Sequence, residues 1–188
     1  IGSVTTVAGP VNIYAGDINV NANINTSTGG ANGDVLLKAR GAITQASNVA
    51  VTTNGGDVTY WANSAVDTTT STATGGILVK ANATIDSRRN VDRTAGNITT
   101  ATAGGAITLG GGTATATTAL GTTVPNSFAL NYASSPAGLI LGNNTGAGQV
   151  SGIKIYSGGG NIMMQGRSTQ SSNSVNVGLQ PYEGLTVN

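Results

Sequence analysis

Histidine and cysteine are both missing from these 188 residues. Their absence removes imidazole bases, thiolate nucleophiles, disulfides and the usual nitrogen and sulfur ligands of transition metals, leaving only oxygen ligands for any ion. Charge is scarce as well. Only 8% of the residues are charged and the formal net charge is +1, whereas an ordinary globular domain carries roughly 25% charged residues. Binding to nucleic acid or anionic lipid needs a dense Lys/Arg face, because the affinity comes from counterion release and electrostatic steering. Neither partner is expected here. Aromatic residues make up 4%, so large core anchors are few. No run of about 18 apolar residues is present to cross a bilayer, and Ile1 opens the chain without a basic n-region or an apolar h-region. The chain reads as a mature product or a piece of something longer, with no membrane insertion and no cofactor expected.

What fills the space is glycine, 29 residues of it, together with Thr, Asn, Ser and Ala. Such a bias suits either disorder or a repetitive β-structure, and the apolar pattern decides between them. Disorder requires low hydrophobicity without periodicity. Here GPVNIYA (9–15), GDVLLKA (33–39), GDVTYWA (56–62) and GGILVKA (75–81) align without a gap as Gly-x-h-x-h-x-Ala, where h is apolar. GNITTAT (96–102) and SGIKIYS (151–157) are looser copies. The first five copies start 19 to 24 residues apart. A weaker motif follows each after seven to nine residues, as in GDINVNA at 16, GAIT at 41, SAVD at 64, ATID at 83, GAIT at 105 and GNIMMQG at 160.

Alternation of period two inside each motif marks short strands with one buried face, and the Gly, Asn, Asp and Ser between them form turns. A fixed period of this kind points to a solenoid. The expected fold is all-β: one right-handed parallel β-helix over 1–188, with about seven or eight coils of about 19–24 residues. Val11, Val35, Val58, Ile77 and Ile98 should form one internal ladder, Ile13, Leu37, Tyr60 and Val79 a second, and Ile18, Ile43, Val66, Ile85 and Ile107 a third on another face. Regularity fails in TATATTALGTTVPNSFALNYASSP, so an irregular loop or an inserted hairpin is expected at about 111–136, with Phe128, Leu130 and Tyr132 alternating on a new face.

The same register sends the x position before the terminal Ala outward. It holds Tyr14, Lys38, Trp61, Lys80 and Tyr156, an aromatic and basic stripe with Trp61 between Lys38 and Lys80. Stacking of the Lys stems on the indole and recognition of a sugar face or a partner protein are both open to such a stripe.

The phrases GDVLLKARGAIT, GGILVKANATID and GGNIMMQG resemble the β-helical repeats of filamentous haemagglutinin-type adhesins, large bacterial proteins exported by two-partner secretion. The resemblance covers most of the chain outside about 111–136. It implies an extracellular or cell-surface, non-enzymatic rod that binds glycan or protein, with no catalytic residues to carry over.

Other functions fit less well. A polysaccharide hydrolase needs two carboxylates about 5 to 9.5 Å apart, and Asp34 and Asp57 are the candidates for neighbours in adjacent coils. They follow Gly at strand starts, where Asp caps turns, and the same slot holds Pro10, Gly76 and Asn97 in other copies. GGANGDVLL (29–37) approaches a Ca²⁺-binding nonapeptide but has no tandem copy. The sequons at Asn25, Asn82, Asn97 and Asn143 are what an Asn- and Thr-rich chain contains by chance. Thr runs at 68–72 and 113–118 raise an ice-binding face, yet they share no coil position. Arg88, Arg89 and Arg93, interrupted by Asp86 and Asp92, read as a solvated loop. A filament subunit is the main alternative, because neither IGSVTTVAGPVNIYA nor SVNVGLQPYEGLTVN, whose only charge is Glu183, looks capped. Self-association through further strands at each end is then expected.

Overall fold

The computed structural model describes residues 1–29, 33–90, 104–132, 137–142, 152–169, 178–181 and 184–188. Ile98, Asp92, Arg93 and Glu183 lie outside them, as do the sequon residues Asn97 and Asn143 and part of the nonapeptide-like stretch. Among the described residues every regular element is a β-strand. The first is β1 (Val4–Val7), followed by β2 (Val11–Ala15), β3 (Ile18–Val20) and β4 (Ile24–Thr28). Next come β5 (Val35–Ala39), β6 (Ile43–Gln45), β7 (Ala50–Thr52), β8 (Val58–Ala62), β9 (Ile77–Val79) and β10 (Thr84–Asp86). The middle of the chain holds β11 (Ile107–Thr117), β12 (Thr123–Ser127), β13 (Ala129–Leu130) and β14 (Leu139–Leu141). The last are β15 (Lys154–Tyr156), β16 (Ile162–Met164), β17 (Gly166–Arg167), β18 (Leu179–Pro181) and β19 (Thr186–Val187).

Three sheets contain nearly all of them. The first runs β1-β4-β7-β10-β15-β19, the second β12-β11-β8-β5-β2 with β16 also on β11, and the third β18-β14-β9-β6-β3, while β13 pairs with β17. Every pairing is parallel except β11 with β12. The chain enters the second, third and first sheets in that order five times, as β2/β3/β4, β5/β6/β7, β8/β9/β10, β11/β14/β15 and β16/β18/β19.

Each face therefore carries its own ladder. Val11, Val35, Val58, Ile107 and Ile162 pair in turn in the second sheet. Ile18, Ile43, Ile77 and Leu139 do so in the third, and Ile24, Val51, Ile85 and Ile155 in the first. Parallel neighbours lie about 4.8 Å apart, and β-branched side chains fill such rows well. Among the described residues the sequence alignment is right for the first three copies of the glycine-led motif and wrong for GGILVKA and SGIKIYS, while GNITTAT lies outside them. Ile77 and Val79 stack on Ile43 and Gln45 in the third sheet instead of on Val58 and Tyr60. Ile85 belongs to the first sheet and Ile107 to the second, and Val66 stands in the turn region after β8. The motif marks any inward strand, so a shift of one face leaves its pattern unchanged. Among the described residues the number of passes is five rather than seven or eight, for the same reason.

Alternation itself holds. Val35, Leu37, Val58, Tyr60, Ile77 and Val79 are all in the core. Tyr60 brings a hydroxyl into that core and donates it to Gln45 Oε1 at 2.9 Å. Gln45 Nε2 in turn donates to the carbonyls of Val49 and Thr84 at 2.8 and 3.1 Å. Burial pushes the Tyr60 phenol well above its usual pKa, so it stays a neutral donor.

The corner leading into the second sheet is the tightest part of the molecule. Gly33, Gly56, Gly105 and Gly160 each stand two residues before a second-sheet strand, one per pass. A Cβ on Gly56 would lie 2.7 Å from the carbonyl carbon of Gly33, and one on Gly160 equally close to that of Gly105. Gly105 is pressed against Gly56 in the same way. A buried hydroxyl ties three of these corners across: Thr53 Oγ1 donates to Gly56 O and Ser87 Oγ to Gly105 O, both at 2.7 Å, and Thr26 donates to Gly33 O. Gly9, on the outermost row, would meet nothing nearer than 3.7 Å. Gly56→Ala should thus cost about 2 kcal/mol or more by backbone displacement, and Gly9→Ala should be nearly neutral. Urea midpoints of the two variants check the difference, and equal midpoints would refute the packing argument.

Candidate functional site

The outward position of the second sheet carries, in register, Tyr14, Lys38, Trp61 and Gly110. Trp61 does point away from Tyr60, but it is only 4% exposed. The cover is the antiparallel pair β11–β12. At Gly112, whose φ is +80°, the chain folds back, a conformation that costs an L-residue but not glycine. The Gly112 carbonyl then accepts the indole N–H of Trp61 at 2.7 Å. Gly110 leaves room for the returning strand: a Cβ there would meet Ser127 O at 3.0 Å and Pro125 Cγ at 3.5 Å. On the other side Lys38 Nζ stands 3.7 Å from the ring centroid, a cation–π contact.

Three of the five stripe residues are thereby reassigned. Trp61 is a covered anchor with Gly110, not Lys80, as its neighbour on one side. Lys80 follows β9 in the third sheet, its N–H bonded to Gln45 O at 3.0 Å. Tyr156 lies in the first sheet opposite Asp86, with the Arg88 guanidinium 4.3 Å from its ring centroid. Arg88 is no solvated loop residue either. Its Nη2 sits 2.7 Å from Asp86 Oδ2, and the two residues are 7% and 2% exposed. Tyr14 and Lys38 remain together. Tyr14 is 67% exposed, and with Lys38, Arg40 and Ser64 it lines an open groove of about 550 Å³.

The two candidate carboxylates work as backbone acceptors. Asp34 Oδ1 accepts the N–H of Asp57 at 2.8 Å, and Asp57 Oδ1 accepts that of Ala106 at 2.7 Å, so each Asp ties one pass to the next. Their second oxygens face the hairpin: Thr118 donates to Asp57 Oδ2 at 2.6 Å and Thr122 reaches Asp34 Oδ2 at 3.4 Å. The hairpin tip is thus clamped over the strand starts while its base covers Trp61. Partial burial raises the Asp34 pKa above 3.8, with the Asp57 charge adding to the rise against the opposing hydrogen bonds. Among the described residues no three His, Cys, Asp or Glu gather as metal ligands. Two carboxylates whose oxygens all accept hydrogen bonds from the protein itself offer no acid and base facing a substrate.

Comparison with protein-family models, curated proteins and solved structures finds no match to this chain. The arrangement of its own residues carries the functional argument.

Trp61 is the single tryptophan, so its fluorescence reads the hairpin directly. Emission should be blue-shifted and resistant to iodide. Asp57→Ala, which removes acceptors from Ala106 and Thr118, should cost about 2–3 kcal/mol and make Trp61 quenchable. An unchanged quenching constant would exclude the clamp. Asp34→Asn keeps an acceptor and removes the desolvated charge. Because the folded pKa is raised, protonation of Asp34 favours the folded state: that stability is present below the unfolded pKa and lost as pH rises through the folded one. The Asn variant should match the parent at low pH and be slightly more stable at neutral pH, by a few tenths of a kcal/mol for a group that is only half-buried and screened by solvent. Thermal melts across that range test the sign.

Proposed function

We propose that the five passes are coils of a right-handed parallel β-helix serving as a non-enzymatic, adhesive shaft segment of a bacterial extracellular surface protein of the filamentous haemagglutinin type. The observation that carries the reading is the groove at Tyr14, Lys38 and Arg40. A large aromatic is left in solvent beside two cations, whereas Trp61 in the same outward row is covered by the hairpin. Tyr and Arg are the side chains that most often concentrate binding energy. A glycan or protein bearing negative charge suits them. The buried rows supply stiffness, and the outward rows supply contacts, which is the division of labour a shaft requires.

A second reading is a filament subunit. Among the described residues β2, β3 and β1 on one side, and β16, β18 and β19 on the other, each pair with one neighbour within these sheets. Further strands, from the same polypeptide or from another copy, would complete them.

Adhesion of the purified chain to cultured epithelial cells tests the main reading. Tyr14→Ala combined with Arg40→Ala should weaken binding by about 2 kcal/mol, roughly thirtyfold, without moving the melting temperature. Undiminished binding by the double variant sinks the proposed contact surface, and release of reducing sugar from a polysaccharide by the parent chain sinks the non-enzymatic part.

A further inference from the structure

Across the corner from that groove lies a different kind of cleft. It measures about 290 Å³ and is lined by Asp17, Asn19, Thr44, Thr74, Gly75 and Tyr132, together with Ala42. That is the small end of the roughly 300–1,000 Å³ typical of small-molecule sites. Its polar groups come from two neighbouring strands and a loop: Asn19 of β3 is in register with Thr44 of β6, Asp17 precedes β3, and Tyr132 follows β13.

Asp17, Thr44 and Tyr132 are held in place. Asp17 Oδ1 accepts the Ala42 N–H at 2.7 Å, and Thr44 Oγ1 and the Tyr132 hydroxyl share a hydrogen bond of 2.6 Å. Gly41 makes room for the carboxylate, because a Cβ there would lie 3.3 Å from Asp17 Cγ and closer still to Oδ1. Asp17 and Asn19 are both exposed, and among the described residues Asp17 Oδ2 and the Asn19 side-chain amide face solvent without a protein partner. One free carboxylate oxygen, one free amide and an aromatic wall therefore share a small cleft.

We propose that this cleft binds one neutral hexopyranose ring of a glycan. No Lys or Arg lines it, and the carboxylate repels anions, so phosphates, sulfates and uronates are excluded. An ammonium ion only donates hydrogen bonds and leaves the donor half of the Asn19 amide unmet. A vicinal diol donates to Asp17 Oδ2 and to the amide oxygen while accepting from the amide N–H, which satisfies all three groups. Tyr132 gives the apolar face of the ring a surface to stack on. Preorganisation of Asp17 and Tyr132 lowers the ordering cost of binding. The site stands independently of the adhesive reading, since it shares no side chain with the Tyr14–Lys38–Arg40 groove.

Saturation-transfer NMR of the folded chain with the methyl glycosides of glucose, galactose and mannose tests it, with galacturonate and ethanolamine as charged comparators. At least one neutral glycoside should bind, and galacturonate should not. Asp17→Asn, which still offers Ala42 an acceptor, should weaken that glycoside about tenfold, as should Gly41→Ala through displacement of the carboxylate. Tyr14→Ala should leave it unchanged. Absence of binding by all three glycosides, stronger binding of ethanolamine, or equal affinity in Asp17→Asn would each overturn the proposal, whatever the outcome of the cell-adhesion assay.

Discussion

Close approach of backbone to backbone at the corner before each second-sheet strand is the constraint on which the other features depend. Where Gly56, Gly105 and Gly160 follow Gly33 through the stack, the space a Cβ would occupy is already filled by the main chain of the preceding corner. Placing main chain against main chain at that distance fixes the vertical register of the following strands. The inward Val and Ile residues then fall into unbroken rows. A slip of one residue would put the whole apolar set in solvent. Buried hydroxyls of Thr26, Thr53 and Ser87 reinforce the corner by satisfying the carbonyls that the tight turn would otherwise bury unpaired. Abundant Gly and Thr are in this sense parts of one device.

The hairpin departs from regularity among the described residues, and it follows from the same geometry. A parallel stack leaves an outward row that must be either polar or covered. Trp61 is neither small nor polar, so burying it requires a lid, and β11–β12 supplies one by reversing at Gly112. Asp34 and Asp57 hold the far end of that lid while also bridging successive passes. Two carboxylates in adjacent passes would repel if bare. Backbone N–H groups and threonine hydroxyls accommodate them, and the upward displacement of the Asp34 pKa comes first from partial burial, with the Asp57 charge adding to it.

Strand identity and inward alternation were legible in the sequence because period-two patterning is a local property. Tyr60 inward and Trp61 outward follow directly from GDVTYWA. Face assignment was not legible beyond the third copy, since all three sheets use the same apolar spacing. The long connection between β8 and β9 let GGILVKA pass for a new turn of the repeat. The glycine corners offer no sequence marker that would have placed Ile107, not Ile77, above Val58, because the buried hydroxyl lies 7 residues before its glycine at Thr26–Gly33, 3 at Thr53–Gly56 and 18 at Ser87–Gly105. Burial of Trp61 was out of reach for another reason. It depends on a contact between residues 61 and 112, and nothing in either segment specifies the other.

In a chain with so few ionisable groups, where each one is used shows where recognition remains open. Asp86 and Arg88 neutralise one another under Tyr156. Asp34 and Asp57 are engaged by backbone and hairpin, and Lys38 leans on the indole. Asp17 occupies the equivalent of a corner position in a different part of the pass, and there no hairpin returns to meet its second oxygen. Its neighbour across the turn, Arg40, is likewise exposed. The corner formed by residues 14–19 and 38–44 thus concentrates an unshielded aromatic, a cation and a half-satisfied carboxylate on opposite flanks of one edge. Desolvating such groups is costly unless a ligand replaces their water with matched partners, so this edge is where an otherwise Thr- and Asn-coated surface has most to gain from contact.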